Sequence, residues 1–208
     1  MKTVSSWLRH CVVGLSILVA MTVILGVAYP ALVWGVSRIG STSAEGSQVR
    51  DSGGCVVGSR LIGVDPRVPA GRPDKYLHAR VLGSADDPMQ PGDPAASAAS
   101  NQGPGSDKLA DWIDTRRAII ATREGVTADQ VPPDAVTGSG SGLDPHISPA
   151  YAELQVPRIA RENQLSQDRV RAVIKDNTDR RQLGFLGQPA VNVLGVNLAL
   201  GLTAPNCD

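Results

Sequence analysis

The chain has 208 residues, with 20 basic and 20 acidic side chains and no formal net charge, so its composition gives no electrostatic pull toward nucleic acid. Aromatic residues make up 3%, which leaves Val, Leu, Ile and Ala to build a core, and the three cysteines lack metal-ligand spacing, which argues against a zinc site. The length suits a membrane anchor and one modest domain.

Residues 11–34 contain no charge and are mostly Val, Leu, Ile, Ala and Met. At about 1.5 Å per helical residue this run covers a hydrocarbon core of roughly 30 Å with length left for tilt. It is about twice as long as the apolar region of a cleaved signal peptide and has no clear small-x-small cleavage site, so it reads as a retained transmembrane helix over 11–36. Residues 1–10 precede it as a cytoplasmic segment. Trp7 and Trp34 lie near its ends, where indoles favour the membrane interface. Pro30 is expected to bend the far end, and Ser16 with Ala20 forms a small-xxx-small face. Lys2, Arg9 and the terminal amine slightly outweigh Arg38 and Arg50, which orients the amino terminus inward and the domain outside.

Residues 37–54, rich in Ser, Gly and charge, read as a flexible tether to a soluble α/β domain over 55–208. Residues 55–63 predict a first strand, and three prolines within 65–73 predict a loop. In 76–82 an extended chain would place Tyr76, His78 and Arg80 on one face. Pro, Gly, Ala and Ser dominate 86–105, an expected exposed loop. A helix is expected from a Ser106 or Asp107 cap to Gly125, with Leu109, Trp112, Ile113, Ile119 and Ile120 approximating an apolar face.

The most distinctive stretch, 136–149, alternates three glycines with two serines and ends in Asp144-Pro145-His146-Ile147-Ser148-Pro149, flexible at its start and rigid at its end. Ser148 and Pro149 signal a helix running toward Asn163, which Pro157 should kink or split. Ser166 caps another helix, with Leu165 and Val170 placed for a hydrophobic staple. A charged turn with Gly-Phe-Leu-Gly follows, then a buried strand over 190–194 and a short helix over 196–200.

The chemical motifs fail on spacing. No lysine follows a glycine, which removes a Walker loop, and glycines directly flank Ser139 and Ser141 where a nucleophile elbow needs them two residues away. The sequence has no His-Glu-x-x-His and no paired cysteines to suggest a metal site. Asp144 and His146 have the chemistry of an acid and a base, but without a defined nucleophile a turn carboxylate beside a surface histidine is the better account. The amides ahead of the helix are able to hold an anion.

Residues 139–149, the segment Gln155-Val156-Pro157-Arg158-Ile159-Ala160, and Gly184-Phe185-Leu186-Gly187 leading to Val191-Asn192-Val193-Leu194 and Asn197-Leu198-Ala199-Leu200 resemble the C subunit of the Kdp potassium-transporting ATPase (KdpC) family. Tyr76-Leu77-His78-Ala79-Arg80 is similar to that family's aromatic-His-Arg motif without the usual following proline, and Ser100-Asn101-Gln102-Gly103-Pro104 is a looser form of its Ser-Asn-Leu-Gly-Pro segment. The resemblance implies an inner-membrane, single-pass accessory subunit, without catalytic residues or a metal of its own. Its partners would be a potassium-channel-like subunit, an ATP-hydrolysing subunit and membrane lipid, with no nucleic acid. It would assist assembly and act as a catalytic chaperone that raises ATP affinity, while the complex handles ATP and potassium. The candidate partner or nucleotide contacts are Ser139, Gly140, Ser141, Gly142, Asp144, His146, Gln155 and Arg158. The alternative is a membrane-tethered hydrolase using Ser139 or Ser141 with His146 and Asp144. An external domain would also allow a disulfide between Cys55 and Cys207.

Overall fold

The computed structural model describes residues 2–69 and 71–203, and the chain divides into two compact units, Met1–Ser47 and Gln48–Asp208. The first unit is helical: α1 (Lys2–Val23), a π-helical turn (Ile24–Ala28), α2 (Tyr29–Ser37), a 3-10 turn (Arg38–Gly40) and α3 (Ser41–Ala44). The stretch Ser6–Ala44 is long and apolar enough to cross a membrane: its most apolar 18-residue window has a mean hydropathy of 2.6, and none of that window is buried by protein. Its large side chains, from Trp7 to Val36, stand exposed, as suits a surface that lipid would cover.

The helix continues through Pro30. The ring clashes with the carbonyl four residues back, and the ladder widens just before it: the Tyr29 N–H bonds to Ile24 O, a five-residue step. Ser16 donates its hydroxyl to Val12 O at 2.8 Å within the same helix. The expected tether also carries more order than its composition suggests. It contains the 3-10 turn, α3 and β1 (Gln48–Arg50), which pairs antiparallel with β2 (Val56–Ser59) across a register shift. The expected first strand is thus the second.

In the second unit, α4 (Asp107–Glu124) is capped by Ser106, which accepts from Leu109 N, and closed by Gly125 at φ +71°. The short α5 (Pro133–Val136) leads through the glycine-serine loop to β3 (His146–Ile147). Ser148 caps α6 (Pro149–Asn163) by accepting from Tyr151 N at 3.0 Å. Asp134 in turn accepts from both Ser148 N–H and Ser148 Oγ, at 2.8 and 2.9 Å. Pro157 sits inside one continuous helix, which is neither split nor ended there. Ser166 caps α7 (Gln167–Asp176); Val170 is fully buried, whereas the intended staple partner Leu165 is 39% exposed.

β4 (Thr178–Asp179) and β5 (Ala190–Asn192) complete an antiparallel sheet of order β3-β5-β4, pairing His146 with Asn192 and both Ile147 and Thr178 with Val191. The expected strand to 194 ends at Asn192, because that side chain accepts from Gly195 N and starts α8 (Val193–Ala199). The sheet is small. Most of the core is therefore helix packed on extended chain: Leu77, Ile120, Tyr151, Val156, Ile159, Val170, Val191 and Val196 are at most 1% exposed. Apart from Tyr151 the main core cluster is aliphatic, in keeping with the composition. Cys55 is buried, and Cys207 lies outside the described residues.

Candidate functional site

The segment 76–82 runs extended through the domain without joining a sheet. Leu77, Ala79 and Val81 enter the core, so the backbone between them must find partners away from water. Side chains supply them. Asn197 accepts from Leu77 N at 2.7 Å and donates to Leu77 O at 2.9 Å. Gln155 does the same for His78, accepting from its N–H at 2.8 Å and donating to its carbonyl at 3.2 Å. Asp65 accepts from Ala79 N at 2.6 Å. Two carboxamides, from α6 and α8, thus stand in for a neighbouring strand.

This clasp continues into a buried charge network. His78 shares both ring nitrogens with carboxylates, Nδ1 with Asp65 at 2.9 Å and Nε2 with Asp74 at 2.9 Å. Burial opposes a charged ring, but Asp65 and the two hydrogen bonds outweigh it and raise the His78 pKa above its usual value. Burial likewise opposes the Asp74 charge, yet the His78 bond and the charges of His78, Arg158 and Arg123 hold its carboxyl below the usual range. Arg158, 3% exposed, donates to both Glu124 oxygens, to Gln155 Oε1, and to the Asp74 and Tyr76 carbonyls. Arg123 bonds Glu124 and the Tyr151 hydroxyl, and burial pushes that phenol up to about 12.

The glycine-serine loop packs on the far end of the same segment. Arg80 donates through Nε to Thr137 O at 3.2 Å, through one Nη to Gly138 O at 2.6 Å, and through the other to Asp144 Oδ2 at 3.2 Å. The loop is therefore pinned where composition suggests mobility, and Ser139 is only 9% exposed. Its glycines admit backbone at close range: a Cβ on Gly142, at φ +72°, would meet Ala98 O. Outside the loop, Gly63 and Gly92 press on it in the same way, against Asp144 O and Gly142 O.

An open cavity of about 450 Å³ lies over this loop, walled by Leu61, Arg80, Ser97, Ser139, Ser141 and Asp144 among others. The serine hydroxyls face each other at 3.4 Å and accept from the Leu143 and Asp144 amides. His146 lies apart from them: its ring nitrogens stand 3.6 Å from Asp144 and 3.3 Å from Asp179. Among the described residues no hydrogen bond joins His146 to either serine, so the nucleophile-base pair of the hydrolase alternative is not assembled. The wall can hold a polar ligand or a partner's polar groups. Ser139, Gly140, Ser141 and Asp144 come together here, Gly142 packs instead against the Ala98 backbone, and His146 sits at the next strand. Gln155 and Arg158 belong to the buried clasp instead.

Sequence reasoning passed over Arg116, which is 1% exposed and faces no carboxylate hydrogen-bond partner among the described residues. It donates to the carbonyls of Pro88, Val136 and Leu82 and lies 5.0 Å from the Trp112 ring centroid. Burial lowers its pKa from the ordinary arginine value. An arginine on an otherwise apolar helical face, between Trp112 and Ile120, is the one available clue.

A family model described as "K+-transporting ATPase, c chain" matches residues 11–201. The potassium-transporting ATPase KdpC subunit of Kineococcus radiotolerans is 44% identical over 198 residues, covering 95% of this chain and 96% of that one. The corresponding subunits of Mycobacterium tuberculosis and Koribacter versatilis are 41% and 35% identical, covering 92% and 95% of this chain and 97% and 96% of their own.

Proposed function

The chain belongs to the KdpC family of K+-transporting ATPase C chains, and from that membership we propose that it is an accessory subunit of a high-affinity, ATP-driven potassium uptake pump. In this reading it assists assembly of the complex and acts as a catalytic chaperone, raising the ATP affinity of a separate ATP-hydrolysing subunit. The observation that carries the proposal is the extent of the match, which runs through both the apolar helix and the soluble domain, over residues 11–201. The unassembled serine-histidine pair supports an accessory role over the hydrolase alternative.

The partners in this proposal are a potassium-channel-like subunit and the ATP-hydrolysing subunit, with lipid around the helix of a single-pass protein in the inner membrane. We place the soluble domain outside the cytoplasm. An external domain cannot touch cytoplasmic ATP, so its effect would arise by binding two pump states unequally and be relayed through the complex. The test is potassium-stimulated ATPase activity of the complex, purified with and without this chain, as a function of ATP concentration. Removal is expected to raise the ATP concentration needed for half-maximal rate. An unchanged ATP dependence, with unchanged growth on limiting potassium, would refute the proposal. Cysteine-accessibility labelling in intact cells tests the topology separately.

A further inference from the structure

The connection between β4 and β5 is built rather than loose. Gln182 and Leu186 exchange two backbone hydrogen bonds, each 2.9 Å, closing a tight turn. Gly184 N bonds to Arg181 O at 3.2 Å, and Leu183 takes the left-handed conformation at φ +52°, uncommon for a branched apolar side chain. Yet this ordered tip shows its apolar side chains to solvent. Leu183 is 83% exposed, Phe185 67% and Leu186 47%, and Phe185 is the only phenylalanine in the chain. Arg180 and Arg181 precede the tip, and neither forms an ion pair among the described residues; the nearby Asp179 is turned to His146. A domain so poor in aromatics spends its one phenylalanine outside its core, which is costly in water unless something covers it.

We propose that this tip is a docking knob for a partner subunit of the pump. Leu183, Phe185 and Leu186 would enter an apolar socket, and Arg180 and Arg181 would meet carboxylates on its rim. The inference rests on the subunit reading given above. The chemistry fits a protein socket: a rigid, preformed turn loses little entropy on docking, a central aromatic with apolar neighbours is the pattern of an interface hot spot, and unpaired arginines complement acidic groups.

The experiment uses the full-length chain, tagged and co-expressed with the other pump subunits, carrying Phe185→Asp, Leu183→Asp or Arg180→Glu with Arg181→Glu. Recovery of the partner subunits is measured, and a photo-crosslinking amino acid at position 185 identifies what lies there. Phe185→Asp is expected to reduce recovery by about tenfold or more, the charge-reversal pair to reduce it less and in a salt-dependent way, and the crosslink to join a partner subunit. Thermal melting of the isolated variants should match the unsubstituted chain, since the side chains touch little of its own fold. A crosslink to lipid alone or to a second copy of this chain, undiminished recovery, or a melting point lowered as by a core substitution would each overturn the proposal. If the unsubstituted chain itself fails to recover partners, the subunit reading has failed first, so the two failures are distinct.

Discussion

Replacing Gln155 by alanine tests whether the buried carboxamide holds the extended segment. The side chain satisfies His78 N–H at 2.8 Å and His78 C=O at 3.2 Å and accepts a third bond from Arg158 at 2.8 Å, all at a fully buried position. Removing it orphans two backbone groups and one guanidinium N–H. Each buried orphan costs about 1–3 kcal/mol, and water entering the space recovers part of that, so the expected loss is about 2–5 kcal/mol. Against a typical domain stability of about 5–15 kcal/mol this is a large fraction. Gln155→Glu keeps both accepting bonds but turns an acceptor toward His78 O and places a carboxylate at a fully buried position, so it should cost at least as much. The assay is urea denaturation of the full-length chain in detergent, followed by circular dichroism. Asn197→Ala supplies a parallel loss, and the double variant should fall short of the sum, because once either clasp opens the same segment is released. An alanine variant as stable as the parent, with pump activity lost, would refute the clasp and make Gln155 a contact residue.

Other substitutions test neighbouring parts of the same structure. Because the His78 pKa is raised on folding, its stabilisation is full below about 6.5 and is lost as pH rises through the higher folded value. The Asp74 pKa is lowered, so its contribution is present above the usual 3.8 and is lost as pH falls through the folded value. Thermal melts between pH 3 and 9 should therefore show a decline on both sides, and His78→Gln should flatten the alkaline one. Gly63→Ala drives a Cβ into Asp144 O, where only backbone can yield, and should cost about 1–3 kcal/mol by denaturation while Gly140→Ala, with nothing near it, costs little. If Cys55 and Cys207 are bonded, both thiols will resist alkylation until reduced, and reduction will remove roughly a few kcal/mol of stability.

Local signals found the helices well. Ser106, Ser148 and Ser166 are caps whose bonds reach only three residues along the chain, and Gly125 closes α4 in the conformation that favours glycine. These features are decided within one turn, so a sequence window contains their cause. The extended segment 76–82 is legible as alternation, but its partners lie 77 and 120 residues away, on Gln155 and Asn197. No periodicity reveals a strand whose ladder is made of side chains. The site was harder still. Its members from Ser139 to Asp144 are adjacent in sequence and emerge together, whereas Arg80, Gly63 and Gly92 come from elsewhere and decide that the loop is pinned.

That pinning bears on how such a domain acts. A loop of alternating glycines and serines left free would lose entropy on meeting any ligand, whereas this one has been ordered by Arg80 and by close backbone contacts during folding. The clasp of Gln155 and Asn197 and the buried Arg158–Glu124 pair, at 3.0 Å, order the segment that carries Arg80. Loop and segment therefore form one rigid body in which a shift at Asp144 is resisted from Leu77 onward. Rigid surfaces discriminate between partner shapes more sharply than mobile ones, because a mismatch cannot be relaxed locally. For an accessory subunit proposed to favour one pump state over another, the useful property is that stiffness, and loosening the clasp should weaken discrimination between states before it abolishes binding.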